Sequence, residues 1–309
     1  MIVTLTLNPA IDHNVLTDRL VFDDRGYILS TQESAGGRGI NASRVIHSFK
    51  GETLAIAPSG GESGKRFESL LGCCGHPFLP VPIQHEIRTN LTITDEQGLT
   101  VKLNERGAPM TKEELERIEQ VVLEALEGAE WFMICGSVPP GVEPGFYSKL
   151  IQKANAMSVK TLLDTDGDSL YEGVMAKPWV VTPNQQEAER LLGTALLTRN
   201  HFFDAARRLL GMGSKAVVLS LGSRGAVASA DGKMFEVIPP RIDVVCPIGA
   251  GDALAAAFTW AMANGSSFAD AVRWGVAAGT ASARLPGLNF ASLEQARQDY
   301  AQVEVREVS

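Results

Sequence analysis

Cysteine is scarce in this 309-residue chain: Cys73, Cys74, Cys135 and Cys246 are the only four, with no C-x-x-C pair and no metal-ligand spacing. That excludes a disulfide framework and a thiolate zinc site, and it predicts reduced thiols in a cytoplasmic protein. The five histidines, His13, His47, His76, His85 and His201, are scattered without an H-E-x-x-H pattern, which removes the common hydrolytic zinc motif. No basic run exceeds two residues, and 28 Lys and Arg stand against 36 Asp and Glu, a formal net charge of −8. Nucleic acids and anionic membranes demand clustered cations, so neither is an expected partner. The longest apolar run, Ala253 to Ala263, is far short of the roughly 20 residues that span a bilayer. The first residues carry no basic signal segment, so the protein is expected to be neither secreted nor embedded in a membrane. Linkers, repeats and low-complexity segments are also lacking. With 45% hydrophobic residues the chain has ample material for a sizeable core, and residues 1–309 are expected to form a single α/β domain.

What is present is an alternation of strand and helix signals. Ile2 to Leu7 reads as a buried strand that Asn8-Pro9 stops, because proline has no N–H to continue a ladder. Asp12 falls just past that end, where ligands collect in doubly wound sheets; a turn-forming role serves the residue equally well. Val15 to Ser34 alternates loosely and predicts two strands standing off the main sheet. Arg88–Thr94 and Leu99–Glu105, around Asp95-Glu96-Gln97-Gly98, predict a hairpin that completes a small β lid from about 15–34 and 88–103. Thr111 with Glu114 reads as a capping box opening a helix whose face is Leu115, Ile118, Val122 and Leu126. Trp131–Cys135 and Ala216–Ser220 read as strands, and the strand-helix-strand recurrence from Phe146 to Val181 builds a parallel sheet. Asp270 to Arg284 reads as a small-residue helix, and Ser292 to Tyr300 as the closing element. Gly60 to Lys65 invites a phosphate-loop reading and fails it, since Gly60 and Gly64 enclose three residues rather than four and Arg66 follows the lysine.

Cys246-Pro247-Ile248-Gly249-Ala250-Gly251-Asp252, running into the apolar helix from Ala253, organises the rest. Small residues let backbone N–H groups approach a ligand, and the first helical turn favours an anion. A carboxylate there repels that anion unless it takes a proton from a hydroxyl attacking phosphorus. On the turn alone, Asp252 serves as well as a helix N-cap.

Two signatures decide between these readings. Gly249-Ala250-Gly251-Asp252 resembles the second signature of the ribokinase-like (PfkB) carbohydrate kinases, and Gly36-Gly37-Arg38-Gly39-Ile40-Asn41 resembles their first. Leu7-Asn8-Pro9-Ala10-Ile11-Asp12 is similar to the phosphosugar branch. The resemblance covers essentially the whole chain. It implies a three-layer fold with a mostly parallel central sheet and a β lid, ATP-dependent phosphorylation of a phosphorylated ketohexose, and magnesium as cofactor. It implies Asp252 as general base, with backbone N–H groups of Gly249, Ala250 and Gly251 around the phosphoryl group in flight. Sugar contacts are implied for Asp12, Gly36, Gly37 and Asn41, and phosphate contacts for Arg88 and Ser137. Arg25 is implied to reach a neighbouring subunit's site in a homodimer formed through the lids. Thr182-Pro183-Asn184-Gln185-Gln186-Glu187 resembles Lys-Pro-Asn-x-x-Glu, which implies that Asn184 and Glu187 organise magnesium through water, while Ser220, Gly222, Gly225 and Gly251 line the nucleotide. Thr182 stands in place of the usual lysine, and Arg38 in place of Lys or Gly. Pro247 to Asp252 resembles many 1-phosphofructokinases, which implies fructose 1-phosphate as acceptor. Fructose 6-phosphate, tagatose 6-phosphate, an uncharged sugar or nucleoside, and a non-catalytic sugar-phosphate sensor are the alternatives.

Overall fold

The computed structural model describes residues 1–308. The chain begins with β1 (Ile2–Thr6), β2 (Ala10–Thr17), β3 (Ile28–Gly36), α1 (Arg38–Ser48), β4 (Thr53–Ser59), α2 (Gly61–Gly72) and β5 (Phe78–Pro82). It continues through β6 (Arg88–Asp95), β7 (Thr100–Asn104), α3 (Lys112–Leu126), β8 (Trp131–Cys135), α4 (Phe146–Ala156), β9 (Lys160–Asp164), α5 (Gly167–Met175) and β10 (Val180–Val181). The last part is α6 (Gln185–Leu192), α7 (Arg199–Met212), β11 (Ala216–Ser220), β12 (Ala226–Ala230), β13 (Lys233–Ile238), α8 (Ala250–Ala263), α9 (Phe268–Ala283), α10 (Leu293–Tyr300) and β14 (Glu304–Val308).

Ten strands form the central sheet in the order β14-β13-β12-β11-β10-β9-β8-β1-β4-β5. From β5 to β11 every pairing is parallel, and β12, β13 and β14 add an antiparallel edge. Parallel strands are buried on both faces, and side chains alternate between them. Phe132 and Ile134 accordingly join one core with α3, α4 and α7, whereas Trp131, Met133 and Cys135 join the other with α1, α8 and α9. Two cores around one sheet make three layers. Strand order reverses between β1 and β8, so the connections leaving these neighbours diverge and open a crevice at their carboxyl ends. No helix among the described residues is long and apolar enough to cross a membrane.

The second sheet, β3-β2-β6-β7, is the lid. It begins earlier than the alternation predicts, at Ala10 rather than Val15. The Asn8-Pro9 break ends β1, but the chain re-enters extended structure at once and pairs with both β3 and β6. Asp12 therefore lies on a lid strand, not in a turn past a core strand. The chain also closes on β14 rather than on α10, because β13 leaves an edge that Glu304–Val308 fills. Thr111 and Glu114 form both halves of the predicted capping box.

Candidate active site

The site is assembled from α8, α1, the base of the lid and the carboxyl ends of β8 to β11. Gly249 caps α8 with a φ of 79°, a backbone state that glycine adopts freely, and no side chain caps the helix. The N–H of Ala250 is turned to the Pro247 carbonyl at 3.3 Å, so in this state the turn itself engages it. Gly251 and Asp252 have no backbone or side-chain acceptor for their N–H groups among the described residues, and a side chain at Gly251 would meet open space. The first turn of α8 thus presents free donors to the crevice. Its position is fixed from behind by α9, where a Cβ added at Gly279 would lie 2.8 Å from the Ala250 carbonyl oxygen.

Asp252 is the third residue of α8 and does not cap it. Its Oδ2 accepts a hydrogen bond from Asn41 Nδ2 at 2.7 Å, across 211 residues of sequence. The crevice leaves it partly open to water, yet close packing and the like charge of Asp164 push its carboxyl up to about 7, against the pull of Asn41 and Arg38. A carboxylate that titrates near neutrality is suited to accept a proton and release it.

The lid base carries a second Asn–Asp pair, Asn90 Nδ2 donating to Asp12 Oδ1 at 2.8 Å. Burial raises the Asp12 carboxyl, against Asn90, Arg88 and Arg44. In both pairs the amide oxygen, Asn41 Oδ1 or Asn90 Oδ1, is buried without a partner. Buried acceptors are normally satisfied, so two orphans beside two carboxylates fit a ligand rich in hydroxyl donors. Asn90 has no sequence signal of its own, since only the β2–β6 pairing sets it opposite Asp12. Gly36 is explained by the same geometry, because a Cβ there would strike Asp12 Oδ2 at 2.1 Å; one at Gly37, whose φ is 135°, would strike Thr6.

Arg88 departs from expectation. Instead of offering an unengaged fork, its Nε, Nη1 and Nη2 donate to the carbonyls of Pro9 (3.4 Å), Glu105 (2.8 Å) and Asn8 (3.0 Å), leaving two of its five N–H groups. Asn8 Nδ2 in turn donates to Arg106 O and to Ser137 Oγ, so Arg88 and Ser137 share one neighbourhood. Arg25 sits on the exposed β2–β3 loop, and its guanidinium has no partner among the described residues.

On the opposite side, Asn184 and Glu187 form a reciprocal capping box at the start of α6. Asn184 Oδ1 accepts from the Glu187 N–H, and Glu187 Oε2 from the Asn184 N–H, both at 2.9 Å. The other oxygen, Glu187 Oε1, is held by Arg38 at 3.0 Å, and burial raises this carboxyl. No cluster of three or more His, Cys, Asp or Glu among the described residues could cage a metal, so an all-protein cage does not fit. A hydrated magnesium ion carried by phosphates does, with these two residues as outer contacts. Ser220 is bridged to Asn184, and Gly222 (φ 60°) opens a short 3-10 turn with free space above it. Gly225 has a packing reason of its own, since a Cβ there would lie 2.0 Å from the Val237 carbonyl. A surface cavity of about 530 Å³ between α3 and α4 lies outside this constellation and is lined by Glu119 with Lys149 and Lys153.

A titratable carboxylate beside an uncapped helix start, facing hydroxyl acceptors across a lidded crevice, belongs to a kinase of small polyhydroxyl molecules. The chain belongs to the pfkB family of carbohydrate kinases, whose sequence model matches residues 4–296. It is an ATP-dependent phosphotransferase with an alcohol acceptor. It is 31% identical to the ATP-dependent 6-phosphofructokinase isozyme 2 of Escherichia coli over 97% of this chain and 98% of that one. It is 29% identical to the 1-phosphofructokinase of Borreliella burgdorferi over 100% and 99%. The tetrameric inhibited form of Escherichia coli phosphofructokinase-2 superposes with a TM-score of 0.91 at 30% identity, covering 97% of this chain and 98% of that one.

Proposed function

We propose that the protein transfers the γ-phosphoryl group of ATP to a free hydroxyl of a phosphorylated ketohexose. The observation that carries this reading is Asp252, raised to about 7, held by Asn41 and placed beside free N–H groups at the start of α8. Asp252 accepts the proton of the attacking hydroxyl, and the N–H groups of Gly251 and Asp252 stabilise charge on the phosphoryl group in flight. Asp12, Asn41 and Asn90 orient the sugar hydroxyls. The existing sugar phosphate lies at Ser137 and the two remaining N–H groups of Arg88. Ser220 and Gly222 face the nucleotide. Asn184 and Glu187 would hold, through water, a magnesium ion brought by ATP, which would supply neutralisation of the phosphate oxygens.

The acceptor we propose is fructose 1-phosphate, supported by the Pro247–Asp252 sequence. A second reading, fructose 6-phosphate, is favoured by the 31% identity to a 6-phosphofructokinase. An ADP-release assay over ribose, adenosine, fructose 1-phosphate, fructose 6-phosphate and tagatose 6-phosphate decides. Turnover confined to ribose or adenosine refutes the phosphosugar reading, and saturable phosphosugar binding without turnover makes the protein a sensor.

The lid supports a homodimer. Its outer surface exposes Phe22 (97%), Tyr27, Ile28, Leu29, Val101 and Leu103, an apolar face that a copy of itself would cover. A strictly monomeric mass at micromolar concentration refutes this and removes Arg25 from any neighbouring site.

A further inference from the structure

Arg38 lies where the sugar and nucleotide halves meet, and the proposed function gives it no task. It is the first residue of α1, and its stem passes the Gly136 turn, where an added Cβ would lie 4.0 Å from Arg38 Cγ. Its guanidinium gathers three carboxylates from two segments, the β9–α5 connection and α6: Asp164 Oδ1 at 2.8 Å and Asp166 Oδ2 at 3.3 Å from the first, and Glu187 Oε1 at 3.0 Å from the second. These use three of five N–H donors, leaving two unengaged. The Arg38 side chain is 30% exposed, against 10% for Asp164 and 6% for Glu187, so the cation is more open than the two acids that hold it most closely.

Charge balance gives this position its meaning. Asp12, Asp164, Asp166, Glu187 and Asp252 all line the crevice, and a nucleoside triphosphate adds further negative charge. Of the cations nearby, Arg88 spends three nitrogens on carbonyls, and Arg224 lies over the Phe202 ring at 4.8 Å and against Gln185. The end of β10 contributes none, because Thr182 is neutral and its Oγ1 donates to the Leu163 carbonyl. Arg38 is the one cation that pulls on the Asp252 carboxyl.

We propose that Arg38 is the phosphate-facing cation of the nucleotide half of the site, and that a phosphate oxygen of ATP takes the place of Asp166 on its guanidinium. Asp166 is the partner to exchange, since it makes the longest of the three contacts and is the most exposed, at 43%. Asp164 and Glu187 remain and keep the fork in place. A planar guanidinium suits this double task, as its donors can hold carboxylates on one edge and a phosphate on another.

This inference rests on the kinase reading, and its test separates the two. Binding of a non-hydrolysable ATP analogue with magnesium is measured by calorimetry, and steady-state kinetics are measured for both substrates. Arg38→Met is expected to weaken analogue binding about 10- to 100-fold, the loss of a charge-assisted hydrogen bond, while KM for the phosphosugar changes little. Its kcat falls about 10²- to 10³-fold, and Arg38→Lys restores part of both. Asp166→Asn removes the competing carboxylate and tightens the analogue about two- to fivefold. A folded Arg38→Met with normal analogue affinity, or one impaired only toward the phosphosugar, overturns the assignment. If Arg38→Met does not fold, Asp166→Asn decides, and unchanged or weaker binding overturns it. A wild type that binds no ATP analogue overturns the kinase reading and this one with it; normal binding beside an unimpaired Arg38→Met overturns this one alone.

Discussion

Asp252→Asn removes a charge and leaves the shape unchanged, because an asparagine can still accept from Asn41 Nδ2. Two effects of opposite sign follow. Without a base the rate is expected to fall about 10²- to 10⁴-fold. Stability moves the other way. The unfolded chain releases the Asp252 proton near 3.8, whereas the folded protein holds it until about 7. A carboxyl raised in the folded state costs nothing below the lower value, and its cost grows as pH climbs to the upper one and is constant above it. At about 1.4 kcal/mol per pH unit, wild type at pH 8.5 carries a penalty on the order of 4 kcal/mol, and at pH 5 on the order of 2 kcal/mol. Water reaching Asp252 in the open crevice makes these upper figures. Urea unfolding of both proteins at the two pH values isolates the residue, since Asp12, Asp164 and Glu187 are common to both. Asp252→Asn is expected to be the more stable protein, with a margin about 2 kcal/mol wider at pH 8.5 than at pH 5. In wild type, kcat/KM should rise with pH through about 7 as the base loses its proton. Near-normal turnover of the variant, or a margin that does not change with pH, refutes Asp252 as a strained, proton-accepting carboxylate.

Asn41→Ala removes the hydrogen bond that favours ionised Asp252, so the rising limb of the pH–rate profile should move to higher pH and the phosphosugar KM should increase about tenfold; an unmoved limb would separate Asn41 from the base. Arg88→Ala should raise KM for the phosphosugar far more than for ATP. It should also cost about 2–3 kcal/mol in urea unfolding, because the Asn8, Pro9 and Glu105 carbonyls lose their donor; equal effects on both substrates would remove Arg88 from the sugar phosphate. Gly279→Ala drives a methyl to 2.8 Å from the Ala250 carbonyl. It should cost about 1–3 kcal/mol and lower kcat by displacing the first turn of α8, which thermal unfolding and a rate assay together check.

Much of the framework is legible in the chain because its causes are local. Trp131–Cys135 and Ala216–Ser220 are strands over the residues that their apolar runs mark, and the Thr111–Glu114 capping box needs only four consecutive residues. The glycine-rich turns also announce themselves, since Gly249 and Gly37 hold backbone states that other residues resist. Asp252, Asn41 and Asp12 could be nominated from their motifs, and the structure brings each to the crevice.

Tertiary structure decided what those residues can do. Pairing of β2 with β6 put Asp12 on the lid and set Asn90 beside it, which no period in either segment encodes. The fork of Arg88 looks free until the turns carrying Asn8, Pro9 and Glu105 fold over it. Arg38 meets Asp164 and Glu187 across 126 and 149 residues. Asp252 becomes a base near neutrality only when packing strips away part of its water and brings Asp164 within reach. A side chain's charge state and free donors depend on everything packed around it, and distant segments supply most of that packing.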